Sequence, residues 1–311
     1  ATAGAAEETA PPDTAGLDQL GPAELFLRAS SAALQFQHLR TPARRRLVSG
    51  HEASLPHLMT RLDTDDARER HALEDVLVRI GEPAVAPLTE AIRNEYERHD
   101  TTRGARLAAS VLGRIGDPRA STALAHGASH SNWKVRASVA SALGRLGAVA
   151  VTDPLLELLD DPNEVVRKSA AVGFRRLASD GVELGERTEV VAGLVGTIED
   201  PHYSVRMSAA DALARIGGPA VDALMTAARA ARPPGRHSAI RALGAAGDRS
   251  VLPTLCELLE DEDWAARAFA AEAIGQLGPD RRSRKRLAKL LSSEEHPLVV
   301  ARASDALAPA Q

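Results

Sequence analysis

Aromatic side chains make up only 3% of the 311 residues, and cysteine occurs once, at Cys256. One cysteine excludes an intrachain disulfide. It lies in an apolar helical stretch, where a thiol acts as a small buried hydrophobe. No apolar run approaches about 18 residues, so no membrane-spanning helix is expected. The chain also lacks a strong charge bias: 38 basic and 42 acidic residues leave a formal net charge of -4. That balance argues against a dedicated polyanion binder, whose domain is usually strongly basic. There is no Gly-x-x-x-x-Gly-Lys loop, no Gly-x-Ser-x-Gly elbow and no Cys-x-x-Cys pair, which removes the common nucleotide, hydrolase and redox signatures. No signal-peptide pattern is visible. A cytoplasmic location is expected, with an exported mature chain as the alternative.

What the chain has instead is Ala, Leu and Val, strong helix formers or small enough for helices to pack closely, arranged in a repeat. The segment 133–147 ends in Ala-Leu-Gly-Arg-Leu-Gly, and 203–217, 264–278 and the more degenerate 164–178 follow the same plan. Closing glycines at Gly81, Gly116, Gly147, Gly217, Gly247 and Gly278 are spaced by 35, 31, 70, 30 and 31 residues, the 70 covering two repeats. A period of this size marks a stacked array, in which each repeat buries its apolar face against its neighbours.

Residues 1–16 read as a flexible tail and 17–50 as an N-terminal helical cap, with a helix from Pro22 to about Leu39 and a shorter one near Thr41 to Leu47. The repeat array then covers 51–311. First helices fall near 52–62, 85–97, 118–126, 149–159, 187–198, 219–231, 250–259 and 281–292. Second helices fall near 67–80, 103–115, 133–146, 164–177, 203–216, 235–246, 264–277 and 298–308. Insertions are expected at Glu95 to Gly104 and Ala178 to Glu186, in loops. Within one second helix, Val135, Val139, Ala142, Leu143 and Leu146 form a stripe directed at the core. Asn132, Asn163 and Asp263 sit where an N-cap acceptor belongs, and Gly147 where a helix stops.

The pattern Asp-x-x-x-x-Val-Arg-x-x-Ala-x-x-Ala-Leu-Gly-x-Leu/Ile-Gly, recurring over roughly 50–308, resembles the HEAT-repeat family, in particular its short bacterial form, the PBS-lyase HEAT-like repeat. The resemblance implies an all-α fold: a right-handed α-solenoid, or superhelix, of about eight antiparallel helix pairs, with second helices lining the concave side.

Two arginine columns run through the repeats. The first, Arg70, Arg136, Arg167, Arg206, Arg236 and Arg267, stands eleven residues before the closing position; Arg302 continues it and Arg106 is one place out of register. Turn acids Asp161, Asp200 and Asp261 precede it. An arginine fork can bridge a turn carboxylate and backbone carbonyls of adjacent repeats. In the resembled family this column is a structural ladder, with a phosphate-binding stripe as the alternative.

The second column, two residues before the closing position, comprises Arg79, Arg114, Arg145, Arg176 and Arg215, then gives way to Ala245 and Gln276. It lies off the apolar stripe. At roughly 10 Å per helix diameter it would form a basic track about 40 Å long, partly neutralised by Asp75 and Asp211 at i,i+4 spacing. These five are the candidate partner-binding residues, set against the plainer reading of a solvated face. Trp133, Tyr203 and Trp264 share a position at the start of second helices, where packing against the neighbouring turn competes with base stacking. A basic cluster at Arg281, Arg282, Arg284, Lys285, Arg286 and Lys289, and another at Arg44, Arg45 and Arg46, read first as solvated surface of terminal repeats.

His126 and His130 are four apart but have no evident third metal ligand. His51 and Glu52 form the only His-Glu pair, too few for a di-iron hydroxylase of this repeat type. No catalytic, metal or cofactor residue is assigned. The expected function is therefore non-enzymatic: an interaction module or scaffold binding another protein, one with an acidic segment, on its concave surface. Nucleic-acid binding and a lyase-like or chaperone-like subunit handling a chromophore are the alternatives.

Overall fold

The computed structural model describes residues 16–97, 102–184, 187–230 and 232–308. The tail read for residues 1–16 lies outside them, apart from Gly16, as do parts of both expected insertions. The described residues form an all-α solenoid of paired helices. Two 3-10 turns and two helices, α1 (Pro22–Ser30) and α2 (Arg40–Ser49), precede eight pairs: α3 (His51–Thr60) with α4 (Ala67–Ile80), α5 (Glu82–Glu97) with α6 (Arg103–Ile115), α7 (Ser121–Gly127) with α8 (Trp133–Leu146), α9 (Thr152–Leu159) with α10 (Glu164–Ser179), α11 (Thr188–Thr197) with α12 (Tyr203–Ile216), α13 (Pro219–Ala230) with α14 (Pro233–Ala245), α15 (Leu252–Leu258) with α16 (Trp264–Leu277), and α17 (Arg281–Leu291) with α18 (Pro297–Leu307). None of them is long and apolar enough to cross a membrane.

The first helix is shorter than the Pro22-to-Leu39 span expected from its apolar spacing. Ser30 Oγ donates to the Phe26 carbonyl, and Ser31 Oγ accepts the Ala33 N–H at 3.1 Å. These serine bonds compete with the helix ladder and end it, and a 3-10 turn at Leu34–Leu39 follows.

The chain divides into two compact units, Ala1–Val135 and Arg136–Gln311. In the first, α2 packs on α4 and α4 on α6, while α3, α5 and α7 form the other layer. In the second, α10, α12, α14, α16 and α18 pack in succession, each covered by its own first helix. The stripe Val135, Val139, Ala142, Leu143 and Leu146 is buried.

Two glycine roles set the geometry of the second helices. The six closing glycines all have φ between 67° and 76°, a left-handed conformation that costs glycine little and stops the helix. Gly144, inside α8, faces α10: a Cβ there would lie 2.4 Å from Gly173 Cα. Backbone meets backbone because neither residue has a side chain. N-caps begin several second helices, with Asn163 Oδ1 accepting from Val165 N–H at 3.0 Å and Asp263 Oδ1 from Ala265 N–H at 2.9 Å.

Candidate interaction surface

The arginines at the first turn of the second helices make one repeated set of bonds in the C-terminal unit. Arg167 donates through Nη1 to the carbonyls of its own turn, Asp161 at 2.8 Å and Pro162 at 3.2 Å. Through Nε and Nη2 it grips Asp200, in the next repeat's turn, at 2.6 and 3.1 Å. Asp200 Oδ1 in turn accepts the His202 N–H at 2.8 Å. One carboxylate therefore shapes its own turn and receives its neighbour's arginine. Arg136 grips Asp161 at 2.5 and 2.9 Å, and Arg267 grips Glu294 at 2.7 and 3.1 Å. Arg236 Nη2 pairs with Asp261. Such forked, charge-assisted pairs are the strong kind. Burial pushes the Asp200 carboxyl up, but the bonds from Arg167 and the His202 N–H outweigh it and hold it below the usual carboxylate range. The Arg267 bonds lower Glu294 in the same way.

The column departs from this geometry in five places, the first being Arg236, which holds Asp261 through Nη2 alone among the described residues, its Nε buried without an acceptor. Arg70 is exposed and makes no side-chain hydrogen bond among the described residues. Arg106, one place out of register, is exposed while Ala105 is buried. Arg302 does not continue the column, because the turn acid Glu294 fixes the register so that Val300 holds the equivalent place; Arg302 instead pairs with Glu272 at 3.7 Å. Arg206 donates only to its own turn, to the carbonyls of Asp200 at 2.7 Å and Pro201 at 2.9 Å. His130 takes the turn-acid place before Arg136, its Nδ1 accepting the Asn132 N–H at 2.9 Å. No group of His, Cys, Asp or Glu that would hold a metal occurs among the described residues.

The second arginine column is more paired than its sequence spacing implied. In the N-terminal unit, Arg79 meets Asp75 at 2.9 Å and Arg114 meets Glu74 at 3.2 Å. In the C-terminal unit, Arg176 lies 3.8 Å from Asp180 and is half-exposed. Arg215 is exposed and donates to Ser179 Oγ at 3.1 Å, across to α10, rather than pairing with Asp211. Arg145 is partly exposed and makes no ion pair among the described residues. Glu74 and Ser179 escaped sequence reasoning because both act between repeats, at separations that vary with loop length.

The aromatic position is open to solvent: Trp133 is 37%, Tyr203 60% and Trp264 44% exposed. Trp264 stacks on His296 of the next turn, with centroids 4.1 Å apart. Tyr203 lies under the Arg206 guanidinium at 5.8 Å. In α17, Arg286 and Lys289 both hold Glu260, at 2.6 and 2.9 Å; Lys289 chiefly, then Arg286, lowers that carboxyl's pKa. Arg281, Arg282, Arg284 and Lys285 are exposed and unpaired among the described residues. At the other end, Arg44 reaches Asp75 at 3.2 Å and Arg46 reaches Asp18 at 3.0 Å.

An apolar groove of about 600 Å³ runs between α11 and α13, lined among others by Val191, Val195, Ile198, Ala223 and Ala227, and ending at Glu199 and Ala230. Small side chains at Ala192, Ala223, Ala227 and Ala230 line much of it.

Models of the HEAT repeats match residues 85–175 and 221–308, more than half of the chain, and the PBS lyase HEAT-like repeat matches 205–229. The chain belongs to the HEAT-repeat family. Among curated proteins, this HEAT chain is similar to uncharacterized phycocyanin operon protein Z of Pseudanabaena tenuis (strain PCC 7409), at 29% identity over 131 residues. That match covers 41% of this chain and 65% of the relative's length. Among solved structures, it shares its fold with a chain of the Kap95p–RanGDP structure at TM-score 0.60 and 13% identity, covering 92% of this chain and 44% of that one. A Kap121p mutant gives TM-score 0.55 at 12% identity, covering 93% and 38%.

Proposed function

We propose that this HEAT chain is a non-enzymatic interaction module that holds an acidic segment of another protein. The observation that carries the reading is the arginine register on successive second helices of the C-terminal unit, where Arg145, Arg176 and Arg215 reach solvent without a buried partner. A HEAT array offers long, regular surfaces without needing reactive groups. The likeness to a phycocyanin operon protein makes phycocyanin subunits the first partners to try.

The test is native pull-down with mass spectrometry, using the wild type and a variant carrying Arg145→Glu, Arg176→Glu and Arg215→Glu. Exposed pairs contribute little stability, so helicity and melting should hardly change while the captured protein is lost. An unchanged captured set shows that this register is not the docking surface.

The exposed cluster Arg281, Arg282, Arg284 and Lys285 favours nucleic acid as a second reading. A gel shift that weakens steeply as salt rises would support it, because phosphate contacts release counterions. Absence of a shift at low salt rejects it.

A further inference from the structure

Three of the second-helix arginines described above close a carboxylate fork on the next repeat through both Nε and Nη2, and Arg236 reaches its acid through Nη2. Arg206 does neither. No carboxylate oxygen lies within salt-bridge distance of it among the described residues; its Nε, like that of Arg236, is buried without an acceptor, so the missing carboxylate is what sets Arg206 apart. The sequence shows why. Asp161, Asp200 and Asp261 each stand six residues before the next arginine of the column, and the residue six before Arg236 is Ala230. Ala230 is exposed. The turn N–H that a ladder acid would bind, that of Arg232, is taken instead by Glu199 Oε1 at 3.2 Å. Glu199 thereby supports the turn but leaves Arg206 unpaired.

We infer that Arg206 is a carboxylate-binding site kept open for an aspartate or glutamate of a partner protein. The chain itself shows the ligand chemistry, since the equivalent forks at Arg136, Arg167 and Arg267 hold Asp161, Asp200 and Glu294. A guanidinium edge also matches a carboxylate in two parallel bonds. Its own-turn bonds from Nη1 hold the Arg206 head in place, so binding costs little side-chain ordering. Ala230 also ends the apolar groove between α11 and α13. The occupant is thus an acidic segment with an aliphatic residue beside its carboxylate, the aliphatic part in the groove and the acid on Arg206. This inference rests on the protein-interaction reading and adds a site outside the second arginine column.

The test follows arginine Nε–Hε resonances of the full chain while acetate replaces chloride at constant ionic strength. Arg206→Gln identifies the Arg206 signal by removing it. In the wild type that signal should shift and saturate with acetate. In Ala230→Asp, which supplies the carboxylate from within, it should start shifted and no longer respond, and the variant should melt a few degrees higher. A flat acetate response in the wild type, a stronger response to phosphate, or an Ala230→Asp chain that melts no higher each overturns the site. Against a protein captured by the wild type, Ala230→Asp should weaken affinity roughly tenfold or more, the worth of a charge-assisted pair. Undiminished affinity overturns the role of the fork while leaving the interaction reading intact. Failure to capture any protein counts against the interaction reading, and the acetate titration still decides the fork.

Discussion

Asp200 carries three obligations at once: it accepts the His202 N–H, receives the Arg167 fork, and does so with its carboxylate almost closed off from solvent. Replacing it with alanine leaves Arg167 without its counter-charge, so Asp200→Ala should cost about 2–4 kcal/mol, measured by urea unfolding. The same acids set a pH dependence. Asp200 and Glu294 have folded pKa values below their ordinary values. Their stabilisation is therefore complete above about pH 5 and is lost as pH falls below roughly 4 and through the folded values. Melting temperature should drop over that acid range, and Asp200→Asn should remove part of the drop. A curve with the same acid slope in both proteins would show that this pair does not govern it. At this scale the sequence was only partly legible. The arginine column was visible from its register, whereas the open fork at Arg206 depends on what is absent at Ala230. A register drawn through arginines alone does not record a missing acid. Arg302 misled for a related reason: similarity of residue type concealed a shift of two positions.

At the scale of helices, most boundaries followed from apolar spacing, N-caps and closing glycines, because those signals are local. The early end of α1 did not, since the bonds of Ser30 and Ser31 are invisible to hydrophobic periodicity. The tight approach of α8 and α10 was also hidden, as it depends on Gly144 and Gly173 coming to face each other across two repeats. Gly144→Ala should force the two backbones apart and destabilise the chain by about 1–3 kcal/mol, the usual range for overpacking. Gly196→Ala, in α11 with open space around it, should instead stabilise by about 0.5–1 kcal/mol through helix propensity. Thermal melts of the two variants should move in opposite directions; a rise in both would mean that helix propensity, not the α8–α10 contact, controls position 144.

For the molecule as a whole, stability in a HEAT array is a sum of repeat and nearest-neighbour terms. Gly144→Ala should lower hydrogen-exchange protection in α9, α10 and α12 and leave α3 to α5 close to wild type. Uniform loss of protection would show one cooperative block instead. The division into Ala1–Val135 and Arg136–Gln311 falls inside α8, where no change in composition marks it, so the repeat pattern on its own read as continuous. Function was the least legible level, since a repeat of this kind specifies the frame and leaves the docking chemistry to a few surface positions.

The ladder also bears on how such a chain can change length. Each complete repeat exports one cation to the next and offers one anion to the previous one, like a link with a hook and an eye. A repeat of that kind can be duplicated or excised in frame without stranding a charge in the interior. Among the described residues of the C-terminal unit, Arg206 and Ala230 mark the junction where a hook meets no eye. Growth or loss of a repeat there would decide whether Arg206 stays open to a partner or closes on the chain's own acid.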